Sequence, residues 1–345
     1  TSVGKNSSDA ITEGDNNTAI GDGALSATTT ADNNTALGVQ TLKLNTTGAA
    51  NTAVGRGALY GNTTGTQNAA VGYSALDANT TGAQNVAIGY NAGTQITTAS
   101  SNIAIGYTAG YSATTGGYNT AVGAEALYTN ITGVNSTAIG FKALRAATNN
   151  NNTACGYESL LVVSTGYSNT ALGNYAGNSI TTGVNNTCLG NDADATAVDV
   201  SNEFTLGNSS VDNLRCNDTS ISALSDERDK AEVSNLPSVA GLDFINSLRP
   251  ITYYWDRREW YEDGEPDGSK IKHDVEEGVA NTGQRMGFIA QEVKESLSGM
   301  KYMEDSKMVG GTEEKLEFAP AQLVTSLVKA IQQLSEEVES LKAQL

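Results

Sequence analysis

The chain has 345 residues with 20 basic and 38 acidic side chains, a net charge of −18, and only 6% aromatic and 17% charged residues. Ordinary globular chains hold roughly 25% charged residues, so here the polar surface must come largely from uncharged Asn, Thr, Ser and Gly, a profile that suits stacked repeats. The acidity excludes a phosphate-backbone partner, because nothing supplies a basic patch to displace counterions, and no nucleic acid partner is expected.

Three cysteines, Cys155, Cys188 and Cys216, form an odd set with no CxxC spacing and no histidine close by in sequence. Neither a disulfide scaffold nor a zinc site is predicted, and no cofactor or metal is expected. No stretch approaches the roughly 20 apolar residues of a membrane span, so no membrane insertion is expected. Residues 1–20 hold no basic-then-apolar signal pattern. The sequence begins already in repeat phase, as a piece of something longer would.

From the N-terminus an aliphatic-Gly dipeptide recurs at Val3-Gly4, Ile20-Gly21, Leu37-Gly38 and so on to Leu206-Gly207, thirteen times in all with Cys155 in one aliphatic slot. The spacing is 17 residues except between Gly140 and Gly156, where it is 16. The residues before each glycine usually read Asn-Thr-Ala-aliphatic, which predicts a short strand with either the Thr and aliphatic or the Ala turned inward. An apolar pair such as Ala58-Leu59 or Ala75-Leu76 follows the glycine, and a turn such as Thr63-Thr64-Gly65 follows the pair. A unit so small buries its apolar face only by stacking, so residues 1–207 are predicted to form a rod of coils on the order of 60 Å long at about 4.8 Å per coil.

Asn holds the slot four before the glycine in ten of twelve copies, with Ser136 and Glu203 as exceptions. An internal amide ladder or a turn role explains that slot better than a ligand does. Cys155 and Cys188 fall in repeat slots and read as buried small hydrophobes. Tyr73, Tyr90, Tyr107 and Tyr157 directly follow the glycine; they read as a packing ladder, with an exposed stripe able to stack on sugars as the alternative. The Asn-Thr-Ala-Val-Gly phrase resembles the head repeats of trimeric autotransporter adhesins, which are parallel β-rolls or β-helices, and repeats of bacteriophage tail fibres.

After Gly207 the pattern decays through a junction, residues 208–224. From Ser225 the composition changes: all four prolines, both tryptophans and His273 lie beyond it. Residues 1–224 carry 6 basic and 14 acidic side chains, and residues 225–345 carry 14 and 24. Ser225 and Lys230 place a hydroxyl and an amine five residues apart, a nucleophile and a base if burial lowers the amine's pKa. By itself the spacing fits a helix start better, with Ser225 as N-cap and Asp226 and Glu227 in the first turn.

Ser225-Asp226-Glu227-Arg228-Asp229-Lys230, then Leu248 to Trp255 (LRPITYYW), then Gly287 to Val293 (GFIAQEV), then Phe318-Ala319-Pro320, resembles in order and spacing the C-terminal intramolecular chaperone of phage endosialidases and tail fibres, peptidase family S74. The resemblance spans residues 225–345. It implies an α+β domain that trimerises the chain, templates folding of the β-structured part and then cuts itself off between Leu224 and Ser225. Ser225 would be the nucleophile and Lys230 the general base, with Asp226 and Arg228 in positioning roles. No turnover of an external substrate is implied. Residues 259–284, with His273, read as a family-variable loop.

At the C-terminus, Val324, Leu327, Ile331, Leu334, Val338, Leu341 and Leu345 step by 3 and 4 in a heptad seam, which predicts a coiled coil over about 320–345. β-Branched residues at a with Leu at d favour two strands, whereas Leu323 and Val328 widen the apolar face and favour more. Pro320 suits the first turn of that helix. The expected protein is a mainly β rod with a 17-residue period and an α+β chaperone: a homotrimeric fibre of a phage tail or phage-like particle that meets a host-surface glycan or protein receptor. A trimeric surface adhesin is the alternative, although that class ends in a membrane barrel rather than a coiled coil. A polysaccharide depolymerase would need a carboxylate pair, and Asp192 and Asp194 read as turn residues.

Overall fold

The computed structural model describes residues 1–211, 233–254, 285–298, 300, 308–311 and 316–344. The chain divides into two compact units, Thr1–Val211 and Asp212–Leu345. The first is a parallel β-solenoid with a 17-residue period, and the described part of the second is a small α+β structure ending in a long helix.

In the solenoid each coil contributes one short strand, from β1 (Ser2–Val3) and β2 (Thr18–Ile20) through β9 (Thr137–Ile139) and β10 (Thr153–Cys155) to β13 (Phe204–Leu206). The thirteen strands pair in sequence order, parallel and in register, so that like residues stack: Thr35 on Thr52, Ala36 on Ala53, Leu37 on Val54. The alternation left open by the sequence is settled. The central Ala of each strand is buried, as at Ala19, Ala36 and Ala53, while the flanking Thr and aliphatic face outward. A three-residue strand has one inward position, and the coil interior is narrow enough that alanine fills it.

The rest of the interior comes from the apolar pair after the glycine. Leu25, Leu42, Leu59, Leu76, Leu127, Leu144 and Leu160 are fully buried although each has a positive φ near 50°. A left-handed leucine is strained, and burial of the side chain holds it there. In three coils glycine takes this corner, at Gly93, Gly110 and Gly177. Two of them return the lost volume three residues later, with Ile96 and Ile180 buried where other coils have Asn or a smaller residue. The repeat glycines are needed for close approach: at Gly106, φ +132°, a Cβ would lie 2.7 Å from the carbonyl of Gly123 in the next coil.

Coils this tight leave backbone groups inside that turns alone do not pair. The asparagine four before each glycine pairs them. Asn68 Nδ2 donates to the Gly82 carbonyl (2.8 Å) and to Asn51 Oδ1 (3.2 Å), and Asn68 Oδ1 accepts the backbone N–H of Asn85 (2.9 Å). The pattern repeats from Asn17 to Asn186 through a buried column, so the expected internal amide ladder is present. Ser136 keeps it going with its hydroxyl, which accepts the N–H of Asn152 at 3.3 Å. A second ladder, not anticipated from the sequence, runs through Asn45, Asn62 and Asn79 at 2.7 Å per step. It stops where the next coil has Ile96, and Asn79 Oδ1 is left buried without a partner.

The 16-residue step costs no register. Ala138 still pairs with Ala154 and Ile139 with Cys155. The missing residue is absorbed in the turn, where Asn149 Nδ2 donates to the Thr165 carbonyl (2.7 Å) and Asn150 Oδ1 accepts the Val134 N–H (2.9 Å).

In the second unit, α1 (Leu242–Ser247) follows a 3-10 turn at Ser238–Ala240, and β14 (Ile251–Tyr253) pairs antiparallel with β15 (Arg285–Gly287). Then come α2 (Ala290–Leu297), β16 (Val309–Gly311) paired antiparallel with β17 (Leu316–Phe318), and α3 (Leu323–Lys342). Pro320 opens a 3-10 turn that runs into α3, as its fixed φ suits. The core gathers Ala240, Phe244, Val293, Leu297, Met308 and Leu323.

Two stability predictions follow from the coil interior. Asn68→Ala would strand the Asn85 N–H inside the rod and leave the Gly82 carbonyl with the Asn79 amide alone (3.0 Å), and thermal or denaturant unfolding is expected to register a loss of about 1–3 kcal/mol. The coil of Gly110 and Ala113 has neither the buried Leu nor the compensating Ile, and a small void lies there, lined by Ile96, Leu127 and Asn130. Ala113→Ile, which copies the Gly93 with Ile96 arrangement, is expected to stabilise the solenoid by about 1 kcal/mol, and a lower melting temperature would mean that the neighbours already fill the space.

Candidate functional site

Three features of the chain have a functional aspect: the outward strand face of the solenoid, the aromatic columns beside it, and the C-terminal unit with its sequence motifs.

No strand from β1 to β13 contains a charged residue. Their outward positions place mostly Thr in one column, with Ala69, Val86, Ile103 and Phe204 in some coils, and mostly Val, Ile or Leu in the other; many of these aliphatics are exposed, among them Val3, Ile20, Leu37, Ile88, Ile139 and Leu172. A chain of net charge −18 thus carries a long charge-free face with an apolar stripe. Cys155 occupies this outward aliphatic column and is half-buried, which corrects the expectation of a buried small hydrophobe. Cys188 takes an inward alanine slot, is buried as expected, and has its thiol pushed up to about 11 by burial, with the charges of Asp194 and Glu203 adding to the effect.

Beside the strand face the residues after the glycines form an aromatic column. Tyr73 and Tyr90 stack at 5.2 Å between ring centroids, and Tyr90 and Tyr107 at 5.6 Å, both pairs 11° from parallel. Arg56 continues the column, with its guanidinium 5.6 Å from the Tyr73 ring centroid and Nη1 donating to Tyr73 Oη at 3.3 Å. Higher up, Phe141 stacks on Tyr157 at 5.2 Å. The rings pack on one another, as the packing-ladder reading expects, and Tyr73, Tyr90, Tyr107 and Tyr157 are also exposed. A second stack, Tyr111 on Tyr128 at 5.2 Å with Arg145 beyond, was not foreseen.

Of the two acids considered as a carboxylate pair, Asp192 sits in a turn with φ 50°. Asp194 replaces the buried Leu of the repeat and accepts the backbone N–H groups of Ser179 and Ala195, both at 2.9 Å. Burial raises its pKa, partly offset by those bonds. Glu203 takes the ladder slot and accepts from Thr196 N (2.9 Å), Thr196 Oγ1 (2.7 Å) and Thr205 Oγ1 (3.1 Å). The acids thus bond the last coil among the described residues.

In the C-terminal unit, motif segments far apart in sequence form one core. Residues 251–253 pair with 285–287, and Arg249 donates through Nε and Nη2 to the two carboxylate oxygens of Glu292. That pairing holds Glu292 below its ordinary pKa and Arg249 above its own. Phe288 meets Phe318 edge-on at 5.5 Å, and the Ala319 N–H bonds the Met308 carbonyl at 2.9 Å. Helix α3 is two-faced. Leu323, Ser326 and Ala330 are buried, and Gln333 accepts the Leu242 N–H (2.7 Å) and donates to the Ser238 carbonyl (3.1 Å). The heptad seam from Val324 to Leu341 is exposed. Leu323 therefore packs into its own unit rather than widening the seam, which corrects that expectation.

Leu224, Ser225, Asp226, Arg228 and Lys230 lie outside the described residues, as do Cys216 and His273. Among the described residues no group of three or more His, Cys, Asp or Glu is placed to hold a metal, and no helix is long and apolar enough to cross a membrane. Residues 225–300 match the family model described as chaperone of endosialidase. No curated protein and no solved structure matches the chain. The chain thus joins a parallel β-solenoid to a chaperone-of-endosialidase domain.

The Arg249 and Glu292 pair gives a pH test. Because the folded pKa of Glu292 is depressed, its contribution is present above the unfolded value and is lost as pH falls through the folded one. Melting of the C-terminal unit is expected to weaken on acidification across that window, and Glu292→Gln should remove that part of the pH dependence while lowering stability at neutral pH.

Proposed function

We propose that the chain is a homotrimeric fibre of a phage tail or phage-like particle that attaches to a host-surface glycan or protein receptor, and whose C-terminal domain directs assembly and is then released by self-cleavage. The observation that carries this reading is the charge-free, partly apolar strand face along a rod that is acidic as a whole. Like-charged copies repel elsewhere but can meet on that face. A partner with the same repeat spacing matches the stripe coil for coil, and two more copies of this chain have that spacing. The exposed seam of α3 offers the same opportunity at the C-terminus, as a three-stranded coiled coil.

The assembly domain supports cleavage at the border. The matched family segment begins at Ser225, the residue that follows the scissile bond of this reading. Lys230 Nζ takes the proton of Ser225 Oγ, and the oxygen attacks the Leu224 carbonyl carbon. In an N-to-O acyl shift the Leu224–Ser225 amide bond breaks as an ester forms, freeing the Ser225 amine. Water then cleaves the ester, leaving the Leu224 carboxylate and the restored Ser225 hydroxyl. Direct attack of water gives the same products. Asp226 and Arg228 position these groups, and no external substrate is turned over.

A denaturing gel with a mass measurement on the native protein tests this. Fragments of 224 and 121 residues and a trimeric mass are expected, with a single uncut band for Ser225→Ala and for Lys230→Ala. A wild-type chain that is trimeric and intact would end the cleavage claim, and a monomeric rod would end the fibre reading.

A further inference from the structure

The aromatic column beside the strand face is missing one ring. Tyr73, Tyr90 and Tyr107 stack upward, Phe141 and Tyr157 stack above them, and the coil between has Ala124 in the same slot. The column does not shift across the gap: Glu125 N bonds the Tyr107 carbonyl and Lys142 N bonds the Ala124 carbonyl, both at 2.9 Å. Tyr107 and Phe141 therefore face each other across two coil rises, about 9.6 Å, with an alanine methyl as the floor. Exposure rises along the lower stack from 43% at Tyr73 to 49% at Tyr90 and 56% at Tyr107, as it should if the last ring has one uncovered face.

We propose that this gap is a carbohydrate subsite, in which a neutral pyranose ring takes the place of the missing rung between Tyr107 and Phe141. Size selects the guest. A flat aromatic ring in contact with both walls would span about 7–8 Å, two contacts of 3.5–4.0 Å, and would sit loosely. A puckered sugar ring is thicker and takes up the remainder, with its C–H faces on the two rings and its hydroxyls at the open outer edge in water. Charge selects as well. Glu125 is bonded to Arg145 at 2.7 Å, and Lys142 lies 4.0 Å from Glu158 with its ammonium 4.8 Å from the Phe141 ring centroid, so each ionic group beside the gap already has a neighbour of its own and the site favours a neutral sugar. The walls are fixed by the stacks beneath and above them, so little order is lost on binding.

The inference rests on the receptor-binding reading and narrows it to a sugar at one height on the rod. Its test is ligand-observed NMR of the full chain as assembled, titrated with the methyl glycosides of glucose, galactose, mannose and N-acetylglucosamine. At least one is expected to bind in the millimolar range, as suits so small a ligand. Ala124→Tyr completes the column with the residue found three times below it, so the fold should be kept and its melting temperature held or raised. Loss of sugar affinity by at least about tenfold in that variant, and a similar loss in Tyr107→Ala, would support the subsite. Wild-type protein that binds none of the glycosides, or Ala124→Tyr that binds them unchanged, would overturn it. Attachment to host cells is measured in parallel. If wild type and Ala124→Tyr attach equally and bind the glycosides alike or not at all, the subsite is overturned and the receptor reading stands. If wild type does not attach at all, the receptor reading falls, and sugar binding lost in Ala124→Tyr would still support the subsite.

Discussion

The structure of the solenoid depends on satisfying backbone groups inside a narrow coil filled by alanine, leucine and asparagine side chains. A 17-residue turn with one three-residue strand leaves carbonyls and N–H groups facing inward where neighbouring strands do not reach. The buried asparagine supplies a donor and an acceptor on one short side chain, bonding its own coil and the next. Each amide works only if the next coil stacks in register, so pairing and polar satisfaction are one condition. This explains why the 16-residue coil keeps register and bends its turn instead, and why the ladder continues through the hydroxyl of Ser136 and ends on Glu203.

That condition divides the surface. Strand residues alternate, so an alanine inside obliges its two neighbours to face out, and charge is confined to the turns. The proposed assembly is a consequence of this geometry: the strand face is a long surface free of charge, and its apolar stripe is regular because the interior is. The same regularity makes folding difficult. Neighbouring coils offer many near-equivalent registers, and the proposed trimer adds contacts to be found between chains, which favours slow nucleation and aggregation. An attached assembly domain raises the local concentration of the strands during that search.

Much of this was legible in the sequence because a strict period leaves few alternatives. The thirteen glycines give the coil, and Asn four residues earlier gives the ladder. The direction of the strand side chains was not legible, since Thr-Ala-Val reads equally well with either set inward; the width of the coil decides it. Cys155 was misplaced for the same reason. The second ladder went unseen because Asn45, Asn62 and Asn79 are followed by Ile96 in that column, and a three-coil run hides in a Thr-rich turn. In the C-terminal unit, the pairing of Arg249 with Glu292 joins two motifs that resemblance had placed only in order. The residues of the proposed cleavage site are legible by type and spacing, and their arrangement lies outside the described residues.

The two faces of α3 bear on what cleavage would accomplish. One face, through Leu323, Ala330 and Gln333, belongs to the core of its own unit, so the helix is held in place before any partner arrives. The other presents the heptad seam ready formed. A domain built this way associates without first folding onto its partners, and can therefore act while the rod is still unfolded. Once the coils are stacked, the ladders and the buried alanine columns hold the rod without help. If the domain is removed as proposed, the element that would lower the barrier to assembly goes and the interactions that set the barrier to unfolding stay, so the rod would be retained by kinetics after cleavage.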